Sequence, residues 1–127
     1  MRRCFCLFVF LLILLVCHGK VKQGNVEKVV FNEVSYDFGN IGNSDGVISR
    51  NFTCQNNTSS ALVILAVRTS CSCLKGRFSR KPIPPGAKTS IAIFLDASKM
   101  DEGVFHRVIQ VKTNNGVYHL TIQGVKK

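Results

Sequence analysis

The chain has 127 residues, 46% hydrophobic, with 17 basic side chains against 7 acidic ones and a formal charge of +10. That length holds one ordinary domain and excludes two. The basic excess admits anionic surfaces as partners, but no aromatic-rich basic strand for stacking bases accompanies it, which argues against specific nucleic-acid binding.

The N-terminus reads first as an address. Met1-Arg2-Arg3 is basic, every residue from Cys4 to Cys17 is apolar, and a smaller-residue exit follows around Gly19. Charged end, apolar middle and small exit are the plan of a secretory signal. The run is shorter than the roughly 20 apolar residues a transmembrane helix needs. Residues 1–19 are therefore expected to be a signal peptide, with an uncleaved anchor as the alternative, and the protein is expected to be exported to the periplasm or cell envelope. Leu14-Leu15-Val16-Cys17 resembles the lipobox of bacterial lipoproteins, whose cysteine carries the lipid, although Val16 stands where a small residue is usual. Cys17 is thus either a lipidation site or one more apolar residue of the signal. Losing residues 1–19 removes Arg2 and Arg3 and no acid, which lowers the formal charge from +10 to +8. Residues 20–27 are polar and read as a linker.

From residue 28 to 127 no helical periodicity stands out. Short β-branched runs alternate with turn clusters instead. Val29–Val34 is the first run, followed by Tyr36-Asp37-Phe38-Gly39, and Asn43-Ser44-Asp45-Gly46 is a turn. In Ile48–Asn56, alternation puts Ile48, Phe52 and Cys54 on one face. Ala61–Thr69 is almost wholly apolar, as in a strand covered on both faces. Lys81–Gly86 holds three prolines and is a rigid connection rather than a central strand. Lys88–Leu95 alternates again, and Asp96–Gly103 is a loop with room for one helical turn. Phe105–Thr113 and Val117–Val125 flank Asn114-Asn115-Gly116, where Asn115-Gly116 suits a type I′ hairpin turn. That register would set His119 opposite Lys112 and His106 opposite Val125, far apart and at the surface.

Six or seven strands at regular spacing predict an all-β, immunoglobulin-like sandwich of about seven antiparallel strands over residues 28–127. The expected core comprises Phe31, Phe38, Phe52, Cys54, Val63, Leu65, Val67, Ile91, Ile93, Ile109, Val111, Leu120 and Ile122. Burying each such side chain contributes about 1.5–3 kcal/mol, so no metal or cofactor is needed to hold the fold.

Three cysteines, Cys54, Cys71 and Cys73, lie beyond the signal. An odd number cannot all pair within one chain. Residues i and i+2 of an extended strand have Cα atoms roughly 6.5–7 Å apart, wider than a disulfide prefers, so a Cys71–Cys73 bridge requires a bend. The expectation is a bridge from Cys54 to Cys71 or Cys73, or buried thiols. The alternative is a pair of free thiols at Cys71 and Cys73 that bind a soft metal or act as a redox carrier. No catalytic motif appears. Asp101-Glu102 point apart and read as a solvated loop, and the basic stretch Lys75–Lys81 reads as a solvated loop or, alternatively, as a surface for an acidic partner. Asn51, Asn56 and Asn57 open glycosylation sequons, which carry no meaning if the chain is bacterial.

Tyr36-Asp37-Phe38-Gly39-Asn40-Ile41, Phe52-Thr53-Cys54-Gln55-Asn56, Leu62-Val63-Ile64, Val67–Cys73 and Ile83-Pro84-Pro85-Gly86 form an ordered series. The series resembles the bacterial family known as domain of unknown function 1573, over about residues 30–125. Cys54 departs from it, standing where an aromatic or aliphatic residue is usual. The resemblance implies an immunoglobulin-like sandwich in Bacteroidetes envelopes, similar to the major-sperm-protein and Hydin-type scaffolds, with no established activity. The expected role is therefore a non-enzymatic module that meets a protein or glycan of the envelope, and reaches the membrane only through its N-terminal segment or a lipid on Cys17.

Overall fold

The computed structural model describes residues 28–127. The expected signal peptide, the linker and Cys17 lie outside the described residues. Eight strands follow in order: β1 (Lys28–Phe31), β2 (Ser35–Ile41), β3 (Val47–Asn57), β4 (Ile64–Thr69), β5 (Leu74–Arg77), β6 (Lys88–Asp96), β7 (Gly103–Thr113) and β8 (Gly116–Lys126). One sheet runs β1-β3-β6-β5 and the other β2-β8-β7-β4. This is the expected immunoglobulin-like sandwich, with β5 added to the strands legible in the sequence.

Period-two alternation builds the core. Phe52 pairs with Ile91 across the first sheet and Ile109 with Leu120 across the second. These four, with Ile93, Leu95, Val111 and Ile122, are wholly buried between the sheets. Phe31, Phe38 and Val67 pack against them from partly buried positions.

Three expectations are corrected. In the apolar run at 61–69, Leu62 and Ile64 point inward, while Leu65 is 46% exposed and Val63 only partly buried. The β4–β7 register shifts between Ile64 and Ala66, so the bulge at Leu65 reverses the phase, and Val67 returns to the core. The β7–β8 hairpin closes through Asn114-Asn115, because Thr113 pairs with Gly116. A type I′ turn needs positive φ at both central residues, and here neither asparagine has it. Tertiary bonds decide the matter: Asn114 accepts from Val63 N–H through Oδ1 and donates to the Ala61 carbonyl through Nδ2. The register therefore slips by two, setting His106 opposite Gln123 and His119 opposite Gln110.

The sandwich is not wholly antiparallel. β1 ends at Phe31, the chain crosses to the other sheet, and β2 pairs parallel with β8. This close approach needs a residue without a side chain at Gly124, where a Cβ would sit 2.7 Å from the Gly39 carbonyl oxygen. Asn56 fastens the opposite end of the molecule. It is fully buried, its Nδ2 donates to the Ser60 and Ile83 carbonyls, and its Oδ1 accepts from Thr58.

Candidate interaction surfaces

The cysteines are arranged differently from the expectation. Cys71 is bonded to Cys73, and Cys54 is a buried free thiol. Distance explains the missing Cys54 bridge. Cys54 sits beside Thr89 on β6, whereas the Cys73 carbonyl accepts from Asp96 N–H. Those two β6 residues lie about 23 Å apart along the strand, far beyond disulfide reach. The bend required for a Cys71–Cys73 bridge is present: Leu74 N–H donates to the Cys71 carbonyl, and the two Cα atoms lie 5.1 Å apart. With both sulfurs bonded to each other, Cys71 and Cys73 offer no thiolate to a metal. Among the described residues, no group of three or more His, Cys, Asp or Glu side chains gathers that could hold an ion. Burial pushes the Cys54 thiol pKa up, which keeps it protonated and inert.

The disulfide belongs to a clasp between the sheets. Thr69, the last residue of β4, donates through Oγ1 toward the Cys71 and Leu74 carbonyls. Val67 of β4 lies over Gly76 of β5 so closely that a Cβ there would be 2.6 Å from Val67 Cγ1. The β4 and β5 edges are thus drawn together, and the carbonyl and N–H of Leu74 are already engaged.

The other side of the sandwich is open. β1 covers β3 only from Cys54 to Asn57. Asn32 ends that pairing by mimicking one more strand residue: its N–H donates to the Thr53 carbonyl and its Oδ1 accepts from Thr53 N–H. Backbone polarity alternates along a strand, so Ser49 and Asn51 turn their N–H and C=O groups to the same side as Thr53, away from β6. Among the described residues no strand pairs with β3 there. Beside this edge, Arg50 projects inward, salt-bridged to Glu33 and stacked 4.1 Å from the centre of the Tyr36 ring, which meets Phe38 edge-on. The Glu33 hydrogen bond holds the Arg50 guanidinium pKa above its usual value.

The outer face of the first sheet is basic where β5 meets β6. Lys75 lies opposite Phe94 and Arg77 opposite Ala92, with the Arg77 guanidinium 5.3 Å from the Phe94 ring centre. A cleft of about 90 Å³ lies between Ser72, Lys75, Phe94, Asp96 and Lys99. A groove of about 420 Å³ crosses the outer face of the second sheet past Asp37, His106 and Gln123. There Asp37 already accepts from Gly39 N–H. His106, His119 and the Asp101-Glu102 pair are exposed. Asn56 cannot serve as a sequon, since its amide is buried and bonded.

The family model "Protein of unknown function (DUF1573)" matches residues 29–125, nearly all of the sandwich. The chain belongs to this family. A protein of unknown function from Porphyromonas gingivalis W83 superposes on the DUF1573 sandwich with a TM-score of 0.68 at 18% identity, covering 78% of this chain and 46% of that one. An ASH/PapD-like domain of human CEP192 matches with a TM-score of 0.60 at 10% identity, over 80% of this chain and 86% of that domain. WR4, an MSP family member of C. elegans, matches at 0.51 with 10% identity, over 80% of this chain and 99% of its own. The chain thus spans just under half of the Porphyromonas protein, and at these identities the likenesses concern the fold alone. No curated protein sequence matches the DUF1573 chain.

Proposed function

We propose that this protein is a non-enzymatic module exported to the bacterial cell envelope, where the open edge of β3 holds an extended segment of a partner protein. The observation that carries this reading is the half-free edge itself, with the N–H and C=O groups of Ser49 and Asn51 directed away from β6. An added strand gains ladder hydrogen bonds there, and its alternate side chains reach Ile48 and Arg50 at the mouth between the sheets. The family and the fold shared with PapD-like and MSP domains support an interaction module and carry no partner. The basic start and apolar run of residues 1–17 support export.

The test places a photo-crosslinking residue at Asn51 in the native host, with a second probe at Thr121 on the far sheet. A discrete protein adduct is expected from position 51 only, and it disappears in Ser49→Pro. Proline there removes a donor from the open side and none from the β6 ladder. Equal adducts from both positions, or an adduct undiminished by Ser49→Pro, overturn the proposal. The intact mass of the protein from its host is expected to lack about the first 19 residues, and a full-length mass argues against export by a cleaved signal.

A further inference from the structure

We propose that the outer face of the first sheet, along β5 and β6, binds an anionic polysaccharide. This face is separate from the β3 edge and does not need a peptide there. Lys75 and Arg77 stand opposite Phe94 and Ala92, Lys88 occupies the same face of β6 farther along, and Lys99 flanks the cleft at the other end. All four side chains are exposed. The β6 positions from Asp96 to Lys88 span about 26 Å at the strand rise, so the cations form a stripe several sugar units long. Asp96 is the one acid lining the cleft, and its carboxylate is engaged by the Ser98 hydroxyl and N–H.

The chemistry between the cations selects the polymer. Ser90 lies exposed on the same face of β6, offering a donor and an acceptor that suit hydroxyl groups. Phe94 supplies a flat apolar surface beside Arg77, the pairing that takes a sugar ring on one side and its carboxylate or sulfate on the other. An acidic peptide strand fits less well, because the Leu74 N–H and carbonyl on the β5 edge are already bonded to Cys71 and Thr69. Nucleic acid would want successive aromatic platforms, and this face has a single ring. A membrane would want protruding apolar side chains, and Val47 is the one strongly exposed apolar residue at the cleft. The disulfide matters indirectly, since the Cys71–Cys73 turn forms the wall of the cleft at Ser72.

The experiment measures binding of the full chain to polygalacturonate and dextran sulfate, with neutral dextran, double-stranded DNA and anionic phosphatidylglycerol vesicles as comparisons. Binding to both anionic polysaccharides is expected, weakening steeply with salt. Lys75→Glu/Arg77→Glu is expected to weaken it about tenfold or more. The equal charge change Arg68→Glu/Lys112→Glu, on the outer face of the other sheet, is expected to leave it within about twofold. Lys75→Gln/Arg77→Gln repeats the test without charge reversal, and circular dichroism checks that each variant folds. Equal losses from both faces, tighter binding to DNA or vesicles, or no polysaccharide binding overturns the proposal. Crosslinking from Asn51 in Lys75→Gln/Arg77→Gln reads the β3 edge independently, so failure of one site is told apart from failure of the other.

Discussion

Asn56 illustrates how one polar side chain can hold three segments. Its amide bonds the turn at Thr58–Ser60 and the proline-rich connection at Ile83, while its own carbonyl accepts from Gly86 N–H and its N–H donates to Ala87. Removing the amide strands the buried Ile83 carbonyl and takes the acceptor from the part-buried Thr58 N–H and hydroxyl, losses of about 1–3 kcal/mol each. Asn56→Ala is therefore expected to lose about 3 kcal/mol, read as a lower urea midpoint at constant m-value. A loss below about 1 kcal/mol would mean that water replaces the amide. The cysteines give a second prediction at this scale. Among the cysteines of residues 28–127, iodoacetamide is expected to label none in the folded protein and Cys54 alone after denaturation without reductant. Two or more labels under denaturing conditions would show that Cys71 and Cys73 are not bonded to each other.

Strand β5 depends on Val67 fitting over Gly76. Gly76→Ala forces a Cβ into Val67, and overpacking of this kind costs about 1–3 kcal/mol. Val67→Ala in the same chain is expected to recover most of that cost, so a double-mutant cycle should show strong coupling where unrelated sites would simply add. Asp96 belongs to the turn at Ala97–Lys99, which it caps by accepting from Ser98. The Ser98 hydroxyl first, then its N–H, Lys99 and Lys75 hold this carboxyl below its ordinary value. A carboxylate with a depressed folded pKa adds stability above its unfolded pKa of about 3.9, and that stability is lost as pH falls through the folded value. The melting temperatures of the wild type and Asp96→Asn are expected to differ by a constant amount above about pH 5 and to converge below about pH 4. The sequence could not disclose β5. Leu74-Lys75-Gly76-Arg77 is short and carries two charges, and only its contact with Val67 and β6 makes it a strand. The bulge at Leu65 and the displaced hairpin turn were hidden for a related reason: period and turn chemistry are local signals, and the bonds from Asn114 to Ala61 and Val63 are not. Phe52, Ile91, Ile93 and Ile122 were legible because alternation alone decides their face. The candidate surfaces were legible only as composition. Lys75 and Arg77 showed as a basic stretch, but their alignment beside Phe94 requires the β5–β6 register, and the open edge of β3 requires knowing where β1 departs.

The two ends of the described sandwich meet in β2 and β8, where Asp37 and Gln123 approach across 86 residues of chain. Contacts of such separation must overcome loop-closure entropy before they return any stabilisation, so folding on the millisecond-to-second scale is expected. The hairpin β7–β8 and the β3–β6 pairing close shorter loops, and they can form a nucleus before β2 docks. Gly124 separates these stages, because a methyl group there meets both the Gly39 carbonyl oxygen of β2 and the Phe105 ring. Gly124→Ala is expected to cost about 2 kcal/mol. If β2 docks after the barrier, that cost falls on the unfolding limb, and unfolding accelerates about thirty-fold while the folding rate scarcely changes. Stopped-flow chevrons of the two proteins decide the order. A folding rate that slows in proportion to the lost stability would instead place the parallel β2–β8 pairing inside the nucleus, with closure of the chain ends as the step that commits the molecule to fold.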